Sequence, residues 1–153
     1  MKKLLMAAAI SAAGLAGTGA QAATTNGSFD VNINLTSACT LGAITAVDFA
    51  YTSGQVAAQA STGGGFNITC TNTLPYSFAI EQPLATPAVF PATDTAVSLQ
   101  YTLTAPAAGA GNGAAQALTI TGNMPGGQSG TCAAASCNNA AATNRTYFLV
   151  VTY

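Results

Sequence analysis

Few residues in this chain can do chemistry. They are Cys39, Cys70, Cys132 and Cys137, the carboxylates of Asp30, Asp48, Glu81 and Asp94, and the cations Lys2, Lys3 and Arg145; histidine is absent. Without histidine, Ser-His-Asp and Cys-His catalysis are impossible, and the scattered carboxylates share no motif that would set two of them about a substrate. A protein that is not an enzyme and needs no cofactor is expected. The thiols are not spaced Cys-x-x-Cys and have no histidine to complete a ligand set, so no metal site is expected either. What remains for them is oxidation to disulfides, which depends on the compartment.

The first residues point to export. Lys2 and Lys3 form a basic start, Leu4 to Ala16 is an apolar stretch, and Ala20-Gln21-Ala22 fits a small-x-small cleavage site. Residues 1–22 are therefore expected to be a signal peptide. Cleavage would leave Ala23 first, which offers a lipoprotein pathway no cysteine to acylate. In an oxidising compartment the four cysteines form two disulfides, for which three pairings are open; Cys39 with Cys70 and Cys132 with Cys137 is the one expected. By chain entropy the first would contribute about 3 to 4 kcal/mol, and the short second loop should matter less.

Residues 23–153 suffice for one domain with a core of its own. Beyond the signal peptide, Arg145 is the only cation against four carboxylates, so nucleic acid and anionic membrane surfaces are poor partners. Polar surface must come from Thr, Asn, Ser, Gln and backbone. Such low charge removes the usual repulsion between copies, which suits a protein packed in a polymer.

Helical periodicity is nearly absent, whereas short alternating segments recur between Gly, Pro, Asn and Ala-rich breaks. An all-β chain follows. In Phe29-Asp30-Val31-Asn32-Ile33-Asn34-Leu35, period two puts Phe29, Val31, Ile33 and Leu35 on one face. Further strands are predicted over Cys39 to Ile44, Val47 to Tyr51, Phe66 to Thr71, Tyr76 to Glu81, Val97 to Leu103, Leu118 to Thr121 and Tyr147 to Thr152, a number that suggests a sandwich. Ser61 to Gly65, Ala105 to Ala115 and Gly122 to Thr143 read as loops. The run Gly109 to Gly113 is not followed by a helix pattern, so a phosphate-cradling role is not expected.

The two ends stand out. Tyr147-Phe148-Leu149-Val150-Val151-Thr152-Tyr153 is the most strand-like segment and nearly continuously apolar. Such a run fits a strand inside a sheet, because an unprotected apolar edge templates aggregation; something should lie beside it. Gly27 to Leu35 admits two readings: an ordinary first strand, or a strand that fills the groove of another copy by β-strand addition.

Three stretches resemble the spore coat protein U domain family, which includes subunits of archaic chaperone-usher pili. They are Val31-Asn32-Ile33-Asn34-Leu35-Thr36-Ser37-Ala38-Cys39-Thr40-Leu41-Gly42, Gly64-Gly65-Phe66-Asn67-Ile68-Thr69-Cys70-Thr71 and Phe148-Leu149-Val150-Val151-Thr152-Tyr153. The resemblance implies an incomplete immunoglobulin-like sandwich completed by a donated strand. It implies a signal peptide over 1–22, a donor segment over 23–36 and a pilin domain over 37–153. Phe29, Val31, Ile33 and Leu35 would be the inserted side chains. Tyr147, Phe148, Leu149, Val150, Val151, Thr152 and Tyr153 would form the strand that receives a chaperone's or neighbour's strand. Cys39 and Cys70 would be the intradomain disulfide. The implied partners are other pilus subunits, a periplasmic chaperone and an outer-membrane usher, with passage through the periplasm to a pilus on the cell surface, serving adhesion or biofilm formation. Cys132 and Cys137 depart from the shared motif, as does the Ala, Gly and Asn richness of Gly122 to Thr143. Two other readings keep the same fold: a secreted coat protein, and a monomeric adhesin-like binding module. Tyr51, Tyr76, Tyr101, Tyr147 and Tyr153 fall in or beside predicted strands, which favours sheet placement over a sugar platform.

Overall fold

The computed structural model describes residues 24–83 and 86–153, so the expected signal peptide lies outside the described residues. The chain divides into Met1–Asn34 and Leu35–Tyr153. In the first unit, residues 24–34 form no strand, and Phe29, Val31 and Ile33 are 86%, 71% and 87% exposed. Leu35, at the start of the second unit, is 75% exposed. The alternation over Phe29 to Leu35 predicts a strand that the structure does not contain. Alternation supplies a face, but a strand also needs a neighbour for its backbone N–H and C=O groups, and this segment has no ladder partner among the described residues.

The second unit is all-β, with no helix among the described residues. Its first half holds Cys39–Leu41 (β1), Val47–Asp48 (β2), Gln59–Ala60 (β3), Thr62–Gly63 (β4), Gly65–Cys70 (β5), Pro75–Gln82 (β6) and Thr86–Pro87 (β7). Its second half holds Ala92–Thr93 (β8), Gln100–Thr104 (β9), Gly109–Ala110 (β10), Ala115–Thr119 (β11), Thr121–Met124 (β12) and Phe148–Thr152 (β13). Every pairing is antiparallel. One sheet runs β1-β5-β11, a second β10-β6-β13 with β7 also on β6, a third β3-β12-β9-β8, and β2 pairs β4. The architecture is consistent with the expected immunoglobulin-like sandwich.

β5 forms the centre of the core because it is paired on both sides and alternates strictly. Phe66, Ile68 and Cys70 point inward, and Ile68 is 0% exposed. Burying such a side chain contributes about 1.5 to 3 kcal/mol. Tyr76 and Ile120 complete the buried cluster, and Phe78 packs edge-on against Phe66 and Tyr76 at centroid distances of 5.7 and 5.3 Å. Both expected disulfides are present. Cys39–Cys70 joins residues directly opposite in the β1–β5 ladder, and Cys132–Cys137 closes a loop of exposed residues.

The loops hold more pairing than the composition predicts. Ser61 to Gly65 contains β4 and the start of β5, and Ala105 to Ala115 contains β10 and the start of β11. The strand predicted over Leu118 to Thr121 is in fact two, β11 and β12, which change sheets at Ile120. Gly63 and Gly64 allow this crowding: both have positive φ, at 77° and 75°, and a Cβ on them would run into the carbonyls of Ala46 and Ile120.

Candidate functional site

β13 forms where Phe148 to Thr152 lie opposite Glu81 to Ser77 of β6. Leu149 and Val151 face the core beside Ile80 and Phe78, while Phe148, Val150 and Thr152 fall on the other face. Among the described residues β13 has β6 as its only partner, and its second edge carries no ladder. The apolar run therefore sits at a sheet edge and not, as its composition predicts, inside a sheet. None of its residues reaches full burial, and Phe148 and Tyr153 are 53% and 59% exposed.

Beside this edge lies a groove of about 550 Å³. Ile44, Val47 and Phe49 line it from the start of the domain, and Tyr147, Phe148 and Leu149 from its last segment. Between them it reaches core residues Ile80, Leu103 and Ile120. Segment 44–49 and β13 thus share a groove with no pairing between them, the arrangement left when two strands flank the place of a third. Such a gap offers unpaired backbone groups along β13 and apolar depressions for alternate side chains.

Aromatic and polar groups build one part of the groove. The hydroxyls of Tyr101 on β9 and Tyr147 lie 2.7 Å apart, and Phe90 and Phe49 pack against Tyr101. Burial, and then the hydrogen bond to Tyr147, hold the Tyr101 phenol well above the usual tyrosine range. Asp94 also lines the groove and is the one buried charged side chain among the described residues. Its Oδ1 accepts from the backbone N–H groups of Ala96 and Val97 at 2.8 and 2.9 Å, and its Oδ2 accepts from Asn139 Nδ2 at 3.0 Å. These donors offset the loss of hydration that burial imposes on a carboxylate.

The expected residues thus fall into two sets. Tyr147, Phe148 and Leu149 line the groove, with Val150, Val151, Thr152 and Tyr153 continuing along the same edge. Phe29, Val31 and Ile33 belong to the unit before the domain, and Leu35 opens the domain itself. Sequence reasoning missed Asp94 and Asn139, which stand 45 positions apart and carry no joint signal. It placed Phe49 and Tyr101 in strands without linking them to β13. Among the described residues no group of three metal-ligating side chains comes together.

No curated protein matches the chain. Residues 25–89 match the Spore Coat Protein U domain, the family that the sequence motifs resemble; the match covers the exposed segment and β1 to β7, and β13 follows it.

Proposed function

We propose that the protein is a structural subunit that polymerises by donor-strand exchange, as in an archaic chaperone-usher pilus. The observation that carries this reading is the groove bounded by the unpaired edge of β13 and by segment 44–49. The same chain holds a complementary ligand: four large apolar side chains at every second position from Phe29 to Leu35, all exposed. In an extended strand they repeat about every 6.7 Å and span about 20 Å, the form in which a peptide adds to a sheet edge. The match of residues 25–89 to the Spore Coat Protein U domain supports a coat-type or pilus-type subunit.

In this reading Phe29, Val31, Ile33 and Leu35 of one copy enter the groove of the next. Tyr147 to Tyr153 receives the strand alongside. A periplasmic chaperone fills the groove first, and exchange takes place at an outer-membrane usher. Burying four such side chains contributes roughly 6 to 12 kcal/mol of apolar free energy, from which ordering the arm subtracts a large part. Dissociation is slow nonetheless, because the strand leaves only when the core opens.

The test compares the mature chain with a version lacking residues 23–35, by gel filtration and thermal melting, with and without a synthetic Phe29-to-Leu35 peptide. Polymers from the full chain, and rescue of an unstable truncated domain by the peptide, are expected. A truncated domain that is stable and indifferent to the peptide would overturn donor-strand exchange and leave a monomeric binding module. The family name also favours a coat protein, which imaging separates from a pilus: a continuous spore or cyst layer in place of filaments.

A further inference from the structure

We infer that Asp94 is a positioning residue for strand uptake, a buried latch that holds the segment leading into β13 and thereby sets the wall of the groove. The inference rests on the donor-strand reading. Residues 125–147, between β12 and β13, form no strand, and within them 131–141 are exposed throughout. Irregular connections longer than about 12 to 15 residues are uncommon in compact domains and need specific contacts to hold a single path. Bonds from residues 127–131 to residues 51–55 and 97–100 hold the first part of the connection, and the last part, which leads into β13, is held at residues 93–95. Asn139 donates to Asp94 at 3.0 Å. Asn144 accepts from Thr95 N–H at 3.2 Å and from Thr95 Oγ1 at 3.1 Å, and donates to the Thr93 carbonyl at 2.8 Å. Thr143 N–H donates to Thr95 Oγ1 at 3.2 Å. The next three residues, Arg145 to Tyr147, line the groove, and β13 begins at Phe148.

Asp94 does two things at once. Through Oδ1 it shapes its own turn at Ala96 and Val97, and through Oδ2 it ties the long connection to that turn. A buried carboxylate is a costly way to close a turn, since an exposed Asp or Asn does the same. Its burial is accounted for by the second task. Hydrogen bonds to an ionised acceptor are about twice as strong as neutral ones, and a latch of that kind fixes one loop path where Ala, Gly and Asn would allow many.

The test uses the full mature chain, diluted from urea into an excess of fluorescent Phe29-to-Leu35 peptide so that the peptide competes with the chain's own arm for the groove. Uptake rate, melting temperature and hydrogen exchange of the Thr146 to Leu149 amides are compared across variants. Asn139→Ala leaves the turn bonds of Asp94 intact and should slow uptake several-fold while raising exchange at these amides; Asp94→Asn should slow it about tenfold, the value of a charge-assisted bond. Asn139→Asp alone sets two carboxylates together and should also slow uptake. Combined with Asp94→Asn, it re-forms the pair with donor and acceptor reversed, and uptake should recover. Ser61→Ala, which removes a 2.7 Å bond to Gly122 N–H elsewhere, is the control for stability loss alone and should leave uptake unchanged. If the wild-type chain neither polymerises nor takes up peptide, the donor-strand reading and the latch both fall. If the wild type takes it up and the Asp94 and Asn139 variants do so at the same rate, or no more slowly than Ser61→Ala at equal melting temperature, only the latch is overturned.

Discussion

β5 and β13 both turn large apolar side chains toward the core, yet they end in different places. β5 is flanked by β1 and β11 and buries every second side chain; among the described residues β13 is flanked by β6 alone and buries none completely. The difference lies in the number of neighbours, since Phe148-Leu149-Val150-Val151 is at least as apolar as Gly65-Phe66-Asn67-Ile68. Hydrophobicity makes burial favourable, but area leaves water only when something covers it. β5 is a completed centre and β13 an edge with one side to fill.

That contrast can be broken at its strong end first. Ile68→Ala should cost about 4 kcal/mol, within the range for truncating a fully buried aliphatic side chain, as read from urea unfolding midpoints. Replacing Cys39 and Cys70 together by serine should cost roughly 3 to 4 kcal/mol, because it frees a link across 31 positions in the unfolded chain. Both losses should be the same with and without added Phe29-to-Leu35 peptide. Leu149→Ala in β13 should cost only about 1 to 2 kcal/mol in the free protein, since the side chain is half-buried. Its cost should rise toward that of Ile68→Ala once the peptide is bound. Equal costs in the two states would mean that nothing fills the gap beside β13.

The smallest effect concerns pH. Below the ordinary tyrosine pKa, near 10, Tyr101 is protonated whether folded or not, and its contribution to stability is fully present. As pH rises past that value the unfolded chain loses the proton while the buried phenol keeps it, so stability falls until the raised folded pKa is reached. Unfolding curves from about pH 9 to 11 should show this slope, and Tyr101→Phe should flatten it.

Long strands, alternating or continuously apolar, were legible in the sequence. Phe66 to Thr71, Tyr76 to Glu81 and Tyr147 to Thr152 coincide with β5, β6 and β13 to within a residue or so, the first two because they are long enough to display period two and the third because its apolar run is nearly continuous. Two-residue strands such as β3, β8 and β10 cannot display a period, and β11 hides its own behind Ala115 and Ala117, whose small side chains give little contrast. The clearest alternation of all, Phe29 to Leu35, corresponds to no strand, since its side chains announce a face while pairing depends on what lies alongside. Of the groove, the apolar edge was legible. Asp94 was not: a carboxylate 45 positions from its partner leaves no mark that separates it from a surface Asp.

The disulfide at the start of β1 has a mechanical meaning. Tension applied to residues 24–37 meets the bonds of Ala38 to Thr71 and then the ladder at Cys39, the first residue of a three-residue strand. Backbone ladders loaded at one end open a bond at a time, and a strand so short would peel away first. The covalent bridge passes the load from Cys39 straight to Cys70, at the end of the central strand β5. Force then pulls on the middle of the core in place of the margin of a sheet, and β1 is held by its sulfur at the very point where unzipping would begin.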